Sequence, residues 1–429
     1  MINHLFFIVL VLNTTGLYRF IAPQLGISIA QVSTAILVFN IGYLGYKLPK
    51  SRLLIKQMRY WLFVLVLWPI LTLFYAPEVD LRQIGLVIYG FTLFAGAAIY
   101  TASNGFGAMR RLFLVSLILT IFGLILNMWM PVYFEGVANL ADANTLSLGR
   151  PGGFYMQPNA LAIGLCLIFI GWLALANRNT AVREPVVIVI FLISVLLTGS
   201  RTGALLAFII VFLHLGYEWR EKLFFSSKLR FLSTRMAVLA CCIFLGVSAV
   251  GFFIHLYGMQ IDRRPGDLIE RLDSFLEFKL GDEKEFFQEG SVVERLGTQR
   301  IIFRLIREKP FLGYGFGAEI FFLEKGLLYL SSHSTLLSTT LDYGIFYPGI
   351  FVFLIIKIFF HRNRKLVDKF FGTNTVLQFV LISLTLFFYA GGLFERREFV
   401  VVFGMLFAAV NNKLNLPYPT LRQAKTPQP

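Results

Sequence analysis

A short polar turn between two apolar segments is the first place in this sequence where the residue types could do chemistry. Residues 198–203 are Thr-Gly-Ser-Arg-Thr-Gly, a composition that favours a tight turn. Arg201 would then lie in the first turn of the next helix, where backbone N–H groups lack helical partners. A guanidinium group beside free N–H groups suits a phosphate, so the turn predicts an anion clamp. Contact of Arg201 with lipid headgroups is the alternative.

A second group of arginines occurs in the segment Glu294–Lys309, which predicts an amphipathic helix. Apolar residues recur there at helical spacing, and Arg300, Arg304 and Arg307 share the opposite face. Such a helix is typical of a membrane surface. Arg300 and Arg304 are therefore candidates for substrate binding, and a solvated or headgroup-binding face is the alternative.

Two features flank this arginine face. Arg295 stands at the start of the helix, one turn from the stripe, and can point inward. Pro310 ends the helix, and the glycines at 313–317 predict a flexible turn. No strand precedes these glycines, so a dinucleotide site is not expected.

A histidine precedes the next apolar segment, within the Ser-Ser-His-Ser-Thr run at 331–335. The serines and the threonine can cap the following helix. Neutral imidazole can accept a proton from an attacking hydroxyl, so His333 is a candidate general base, with a structural histidine as the alternative. Asp342 follows about two turns deeper and is expected to pack rather than to orient His333.

The stretch 149–159, Gly-Arg-Pro-Gly-Gly-Phe-Tyr-Met-Gln-Pro-Asn, lies between two further apolar segments. Arg150, Tyr155 and Asn159 are candidates for substrate contact, although turn formation alone would explain the glycines and prolines. A Walker loop and an HExxH metal motif do not occur in the sequence. We therefore predict neither a metal nor a cofactor.

The elements that must position these residues are apolar helices. Of the 429 residues, 57% are hydrophobic and 15% are charged, which excludes a soluble enzyme and a disordered chain. The mean hydropathy is +0.72. The pattern predicts an all-α polytopic membrane protein with about twelve transmembrane helices. They are expected at 3–22, 27–47, 60–76, 84–102, 111–130, 158–176, 185–199, 201–216, 236–258, 335–358, 374–391 and 397–412.

The loops between these segments predict the orientation. One set of loops carries 22 basic and four acidic residues, which marks the cytoplasmic side and places both termini there. The net charge of +15 is thus a topology signal, and nucleic-acid binding is not expected. The long segment 259–332 lies on the outer side and holds 13 of the 24 acids, which is typical of a functional loop.

These features divide the chain into four parts. We expect transmembrane helices 1–9 in residues 1–258, a periplasmic loop with its amphipathic helix in 259–334, transmembrane helices 10–12 in 335–412, and a cytoplasmic tail in 413–429.

Together, the motifs resemble the bacterial O-antigen ligase and polysaccharide polymerase family. The resemblance rests on Thr-Gly-Ser-Arg-Thr-Gly at 198–203, the Arg295 helix with Pro-Phe-Leu-Gly-Tyr-Gly-Phe-Gly at 310–317, and His-Ser at 333–334. The stretch 149–159 also resembles members of this family. Many members have His-Asn where this chain has His333-Ser334, which leaves the choice of acceptor open.

The resemblance implies a GT-C-like membrane protein of the bacterial inner membrane with a periplasmic active site. It implies metal-independent, inverting transfer of a glycan from undecaprenyl diphosphate to a sugar hydroxyl. By motif, Arg201 and Arg295 would hold the diphosphate, with Arg300 as the substitute for Arg295. His333 would act as the base or position the acceptor. Two cations on a diphosphate would stabilise the leaving group.

The acceptor and even the class of function stay open at this point. A ligase joins the glycan to lipid A–core, whereas a polymerase joins it to another lipid-linked glycan, and both use the same donor. The outer histidine favours the ligase. The alternatives of another class are a small-anion transporter, for which broken helices and polar groups near the membrane midplane would be expected, and a non-catalytic assembly partner.

Overall fold

The structure is a computed structural model that describes the chain in separate stretches. The described residues are 2–25, 29–47, 54, 56, 58–78, 81–140, 151–175, 183–224, 290–328, 334–359, 383 and 396–411. The predicted spans at 236–258 and 374–391, the first part of the predicted outer loop and the predicted tail lie outside these residues.

The described residues form helices and turns. The first half contains seven helices: α1 Ile2–Thr14, α2 Leu17–Leu25, α3 Ile29–Lys47, α4 Arg59–Tyr75, α5 Ile84–Gly105, α6 Gly107–Trp129 and α7 Pro131–Leu140. The α4 helix contains a π-helical turn at Phe63–Leu67. A 3₁₀ turn at Gly153–Tyr155 precedes the second half.

The second half adds eight helices. They are α8 Pro158–Leu175, α9 Arg183–Leu197, α10 Arg201–Phe224, α11 Gly290–Glu308, α12 Ala318–Glu324, α13 Thr335–Tyr343, α14 Phe346–Phe359 and α15 Arg397–Asn411.

The helices are apolar enough to indicate a membrane protein. By length and composition, α5 with 22 residues and α6 with 23 could cross a membrane. Further apolar helices of 10–17 residues occur within α1, α3, α4, α8, α9, α10 and α14. The count of twelve spans and the sidedness of the loops stay predictions.

Two predicted spans are broken helices in the structure. The predicted span 3–22 divides at Gly16, which has φ +69°. The predicted span 335–358 divides at Gly344, which has φ +79°. L-residues with a side chain rarely adopt this conformation, so each helix ends there instead of continuing. Apolar content alone could not reveal these breaks.

The centre of the bundle is aromatic and tightly packed. The rings of Trp61, Phe94 and Phe403 lie 4.6–5.9 Å apart. A Cβ atom on Gly404 would lie 2.5 Å from the Phe94 carbonyl oxygen, so α15 and α5 approach backbone to backbone. Close approach at small residues is how helices associate where lipid, not water, surrounds them.

Several helices begin at one end of this bundle. The start of α10 lies against the start of α8, because a Cβ atom on Gly203 would lie 2.3 Å from the Ala162 Cβ. Tyr155, just before α8, interacts electrostatically with Glu398 in the first turn of α15. We call the end at which α8, α10 and α15 begin the site end.

Candidate functional site

The Thr198–Ser200 turn forms the tight hairpin that the sequence predicts. The Ser200 Oγ accepts a hydrogen bond from the Gly203 N–H at 3.1 Å, which caps α10. The Thr198 Oγ1 accepts one from the Ser200 N–H at 3.2 Å, and Gly199 supplies a φ of +60°. This local network makes Arg201 the first residue of α10.

The start of α10 is held against α8. Besides the Gly203 contact with Ala162, the Cys166 thiol donates to the Gly203 carbonyl oxygen at 3.7 Å. Asn159, an exposed residue of the first turn of α8, is therefore on the same end of the bundle as Arg201. The structure brings these two predicted site residues onto adjacent helix starts.

The predicted substrate segment 149–159 is a firmly anchored turn where the structure describes it. The Asn127 side-chain oxygen accepts hydrogen bonds from the N–H groups of Gly152 and Gly153, at 2.8 and 2.9 Å. The Phe154 ring fills the space that a side chain at Gly123 would need. Arg150 lies outside the described residues.

Tyr155 is buried inside the bundle at the break between α1 and α2. Its side chain is 2% exposed, and its hydroxyl donates a hydrogen bond to the Thr14 carbonyl oxygen. A Cβ atom on Gly16 would lie 2.9 Å from the Tyr155 ring, and one on Gly164 would lie 2.5 Å from the hydroxyl. The glycines thus admit the ring, and Tyr155 positions the break.

The arginine helix, α11, exposes its cationic face as expected. Arg300 and Arg304, the two residues of this stripe that we assign to the predicted site, are both exposed. The apolar side of the helix is covered only in part, because Phe303 is 53% exposed whereas Ile302 is buried by protein. Fully buried Ile302 packs with Phe322 of α12 and Leu341 of α13 in a separate small core.

Arg295 lies within α11 and His333 falls outside the described residues. Ser334, the next residue, is the N-cap of α13, and its side chain accepts a hydrogen bond from the Leu337 N–H at 3.4 Å. The predicted cap is therefore confirmed. Asp342 is buried, and its Oδ1 accepts a hydrogen bond from the Glu319 N–H of α12 at 3.1 Å, as expected for a packing role.

The glycine-rich turn at 313–317 is not the flexible turn that the sequence predicts. The N–H groups of Tyr314 and Gly315 donate to the carbonyl oxygens of Leu341 and Asp342, both at 2.8 Å. A Cβ atom on Gly315 would lie 2.5 Å from the Ala76 Cα. The positive φ angles and close contacts explain the glycines, and the backbone is fixed between α4 and α13.

Tyr314 adds a polar contact on the outer surface of this turn. Its hydroxyl donates a hydrogen bond to a Glu308 carboxylate oxygen at 2.8 Å. Desolvation, together with this hydrogen bond and the negative charge of Glu308, raises the pKa of Tyr314 to about 12. The hydroxyl therefore stays protonated at neutral pH and ties the end of α11 to the turn.

The structure contains a cluster of charged and aromatic residues at the α1–α2 break that the site predicted from the sequence does not include. Arg397 donates a hydrogen bond from Nη1 to the Asn13 Oδ1 at 2.9 Å, and the Tyr89 hydroxyl donates to the same oxygen. The Arg397 guanidinium carbon lies 3.4 Å from the centre of the Tyr18 ring and 4.6 Å from that of Tyr89. We call this group, with Arg19, Arg396 and Glu398, the arginine cluster.

A signal for the arginine cluster exists in the sequence. The predicted first span carries Arg19, and the run Glu395–Glu398 lies at the start of the predicted last span. Charges at the ends of two spans can meet if the spans are neighbours. Nothing local indicates that the first and the last helix are neighbours.

The chemistry that the described site could support is anion binding by guanidinium and backbone N–H groups. Within the described residues, no group of three or more His, Cys, Asp or Glu side chains could hold a metal ion. Two groups of described cations stand out, the exposed stripe of α11 and the arginine cluster.

The comparisons with known proteins bear on residues 186–354. A comparison with curated proteins gives no significant match. Residues 186–354 match the family model described as O-antigen ligase. That region contains the 198–203 turn, α11, the glycine-rich turn and the cap of α13. The match confirms, through this domain, the resemblance of the chain to the O-antigen ligase and polysaccharide polymerase family.

Proposed function

We propose that this chain transfers a glycan from undecaprenyl diphosphate to a sugar hydroxyl of lipid A–core on the periplasmic face of the bacterial inner membrane. The family match over residues 186–354 supports an O-antigen ligase or polymerase type of activity, and it carries this proposal. The identity of the donor, the identity of the acceptor and the periplasmic location of the reaction are our own proposals.

In the proposed reaction, the acceptor hydroxyl attacks the anomeric carbon of the donor sugar. The bond from this carbon to the diphosphate oxygen breaks, and inversion results from attack on the opposite face. His333 takes the hydroxyl proton, and undecaprenyl diphosphate leaves with the bonding electron pair. Arg201 and Arg295 stabilise the negative charge that develops on the leaving group, without requiring a metal.

The described geometry supports a role for Arg201 in this step. The Ser200 cap and the packing of Gly203 on α8 fix the start of α10, so the position of Arg201 in the backbone is well defined. Arg300, Arg304, Arg150, Tyr155 and Asn159 remain our candidates for binding the glycan, directly or through the elements that they hold.

The decisive experiment uses purified full-length protein with a labelled undecaprenyl-diphosphate oligosaccharide and a chelator. We expect product with lipid A–core, and we expect Arg201→Ala to abolish it. Arg59→Ala is the matched control, because Arg59 is exposed on α4 and pairs only with its neighbour Tyr60 among the described residues. Full activity of Arg201→Ala would refute the assignment. A ladder of longer lipid-linked chains without lipid A–core would identify a polymerase instead.

A second candidate function is anion transport, and the arginine cluster is the observation that favours it. A helix broken beside charged side chains inside the bundle is a feature of transporters. Uptake of a labelled small anion into proteoliposomes, with no glycan transfer by the same preparation, would favour this second candidate.

A further inference from the structure

The break between α1 and α2 puts polar groups inside an apolar bundle. Asn13, Thr14 and Thr15 are fully buried, and their side chains donate to carbonyl oxygens of the preceding turn. Measured along α8, the break lies at the level of Gly164, about two helical turns from the start of that helix. Irregular backbone at such depth is tolerated where it is enclosed by protein or lines a polar cavity.

Arg397 faces this break with most of its hydrogen-bonding capacity unused by the described residues. A guanidinium group has five N–H donors, and the described residues accept one of them, from Nη1, at Asn13. The rings of Tyr18 and Tyr89 hold the cation by their faces, which leaves the edge of the guanidinium group available. The side chain is half-buried, so part of it stays accessible.

Arg19 lies beside the same Tyr18 ring. Its Nε donates a hydrogen bond to the Tyr18 hydroxyl at 2.5 Å, and its guanidinium carbon lies 5.7 Å from the ring centre. Within the described residues its two terminal nitrogens have no hydrogen-bond acceptor. Arg19 and Arg397 therefore flank one aromatic ring with their donor edges available.

The charges of the arginine cluster do not cancel. Glu398 is 4% exposed and interacts electrostatically with Arg396, Arg19 and Arg397. Among the described residues of the cluster, three guanidinium groups and one carboxylate leave an excess of two positive charges in a poorly solvated place. An excess of this kind is costly unless an anion balances it.

We propose that Arg19, Arg396 and Arg397 form an anion site inside the bundle that binds a diphosphate group, either lipid-linked or free. A diphosphate with two negative charges balances the cluster, and its oxygens match the fork of donors that each guanidinium group presents. Its residues differ from those of the 198–203 turn and α11, to which the proposed function assigns the donor.

The anion site could bind the second substrate of the proposed reaction, an assignment that rests on the proposed function. A polymerase acceptor carries its own diphosphate, so two lipid-linked substrates require two anion sites. Occupation of the arginine cluster by the second substrate would favour the polymerase form of the reaction.

The test measures binding to the full-length protein in detergent by isothermal titration calorimetry. The probes are pyrophosphate, farnesyl diphosphate and farnesol. The background variant Arg201→Ala/Arg295→Ala removes the donor residues of the proposed function. We expect this background to bind diphosphate still, and Arg397→Gln or Arg19→Gln added to it to weaken binding roughly tenfold or more. Arg59→Gln is the matched control and should leave binding unchanged.

The outcomes separate this proposal from the proposed function. Failure of the Arg201→Ala/Arg295→Ala background to bind diphosphate, or equal binding after Arg397→Gln and Arg19→Gln, overturns the anion site. Arginine-dependent binding, with no glycan transfer by the protein of unchanged sequence, supports the site and refutes the transferase. Stronger binding of farnesyl diphosphate than of pyrophosphate identifies a lipid-linked source, and binding of farnesol alone contradicts the proposal. Melting temperatures identify a variant that has failed to fold. Arg19→Gln then provides the test, because Arg19 donates its hydrogen bond to Tyr18, whereas Arg397 donates to Asn13.

Discussion

Arg397 donates a hydrogen bond to Asn13 at 2.9 Å, across 384 residues of sequence. This contact joins the start of α15 to the end of α1 inside the bundle. The Tyr89 hydroxyl of α5 donates to the same Asn13 oxygen, so one buried amide connects three helices. The α1–α2 break is therefore fixed by tertiary contacts.

Asn13→Ala should destabilise the protein strongly for this reason. The substitution removes the acceptor of both Arg397 and Tyr89, and a charged donor loses its partner in a poorly solvated place. We expect a loss of about 2 kcal/mol, seen as a lower melting temperature in detergent. Asn104→Ala is the control, because half-buried Asn104 donates a hydrogen bond to the Tyr100 carbonyl oxygen within its own helix, α5. Equal melting temperatures for the two variants would contradict the central role of Asn13.

Gly344→Ala should displace the glycine-rich turn. Its Cβ atom would lie 1.9 Å from the Phe311 carbonyl oxygen, and its φ of +79° disfavours any side chain. We expect a cost of about 2–4 kcal/mol and faster proteolysis near 310–317. Gly349→Ala, at an open position of α14, serves as the control and should be neutral or slightly stabilising. An unchanged cleavage pattern in Gly344→Ala would show that the turn is not fixed by this contact.

Local features of the site could be predicted from the sequence because neighbouring residues encode them. The 198–203 hairpin needs only its own glycine and hydroxyl side chains, and Ser334 caps α13 through the N–H group three residues later. The helices follow from apolar runs in the same way. Such interactions require no knowledge of which helices are neighbours.

The features that the sequence could not predict depend on distant partners. From the sequence, the glycines at 313–317 resemble a flexible turn. The fixed conformation depends on the carbonyl oxygens of Leu341 and Asp342, which accept hydrogen bonds from N–H groups of this turn. The arginine cluster requires the first and last helices to meet. Tyr155 is a candidate for substrate binding from its motif, whereas its burial against Gly16 and Gly164 follows only from the packing.

Ser334→Asn should preserve activity, whereas Ser334→Ala should reduce it. Ser and Asn are both good N-cap residues, so either side chain at position 334 can cap α13. Loss of the cap costs about 1 kcal/mol and loosens the chain next to His333. The measurement is the rate of glycan transfer with each variant, and Ser338→Ala within α13 is the control. If Ser334→Asn instead changes the preferred acceptor, residue 334 contacts the substrate and the capping explanation is insufficient.

The pH dependence of glycan transfer should show the titration of His333. A general base must be neutral to accept the hydroxyl proton, so activity should fall as the pH is lowered and the imidazole becomes protonated. His333→Gln should reduce the rate about 10²-fold or more and remove this acidic limb from the residual activity. His4→Gln is the matched control, because His4 is exposed near the start of α1. An acidic limb that persists in His333→Gln with an unchanged midpoint would assign the titration to another group.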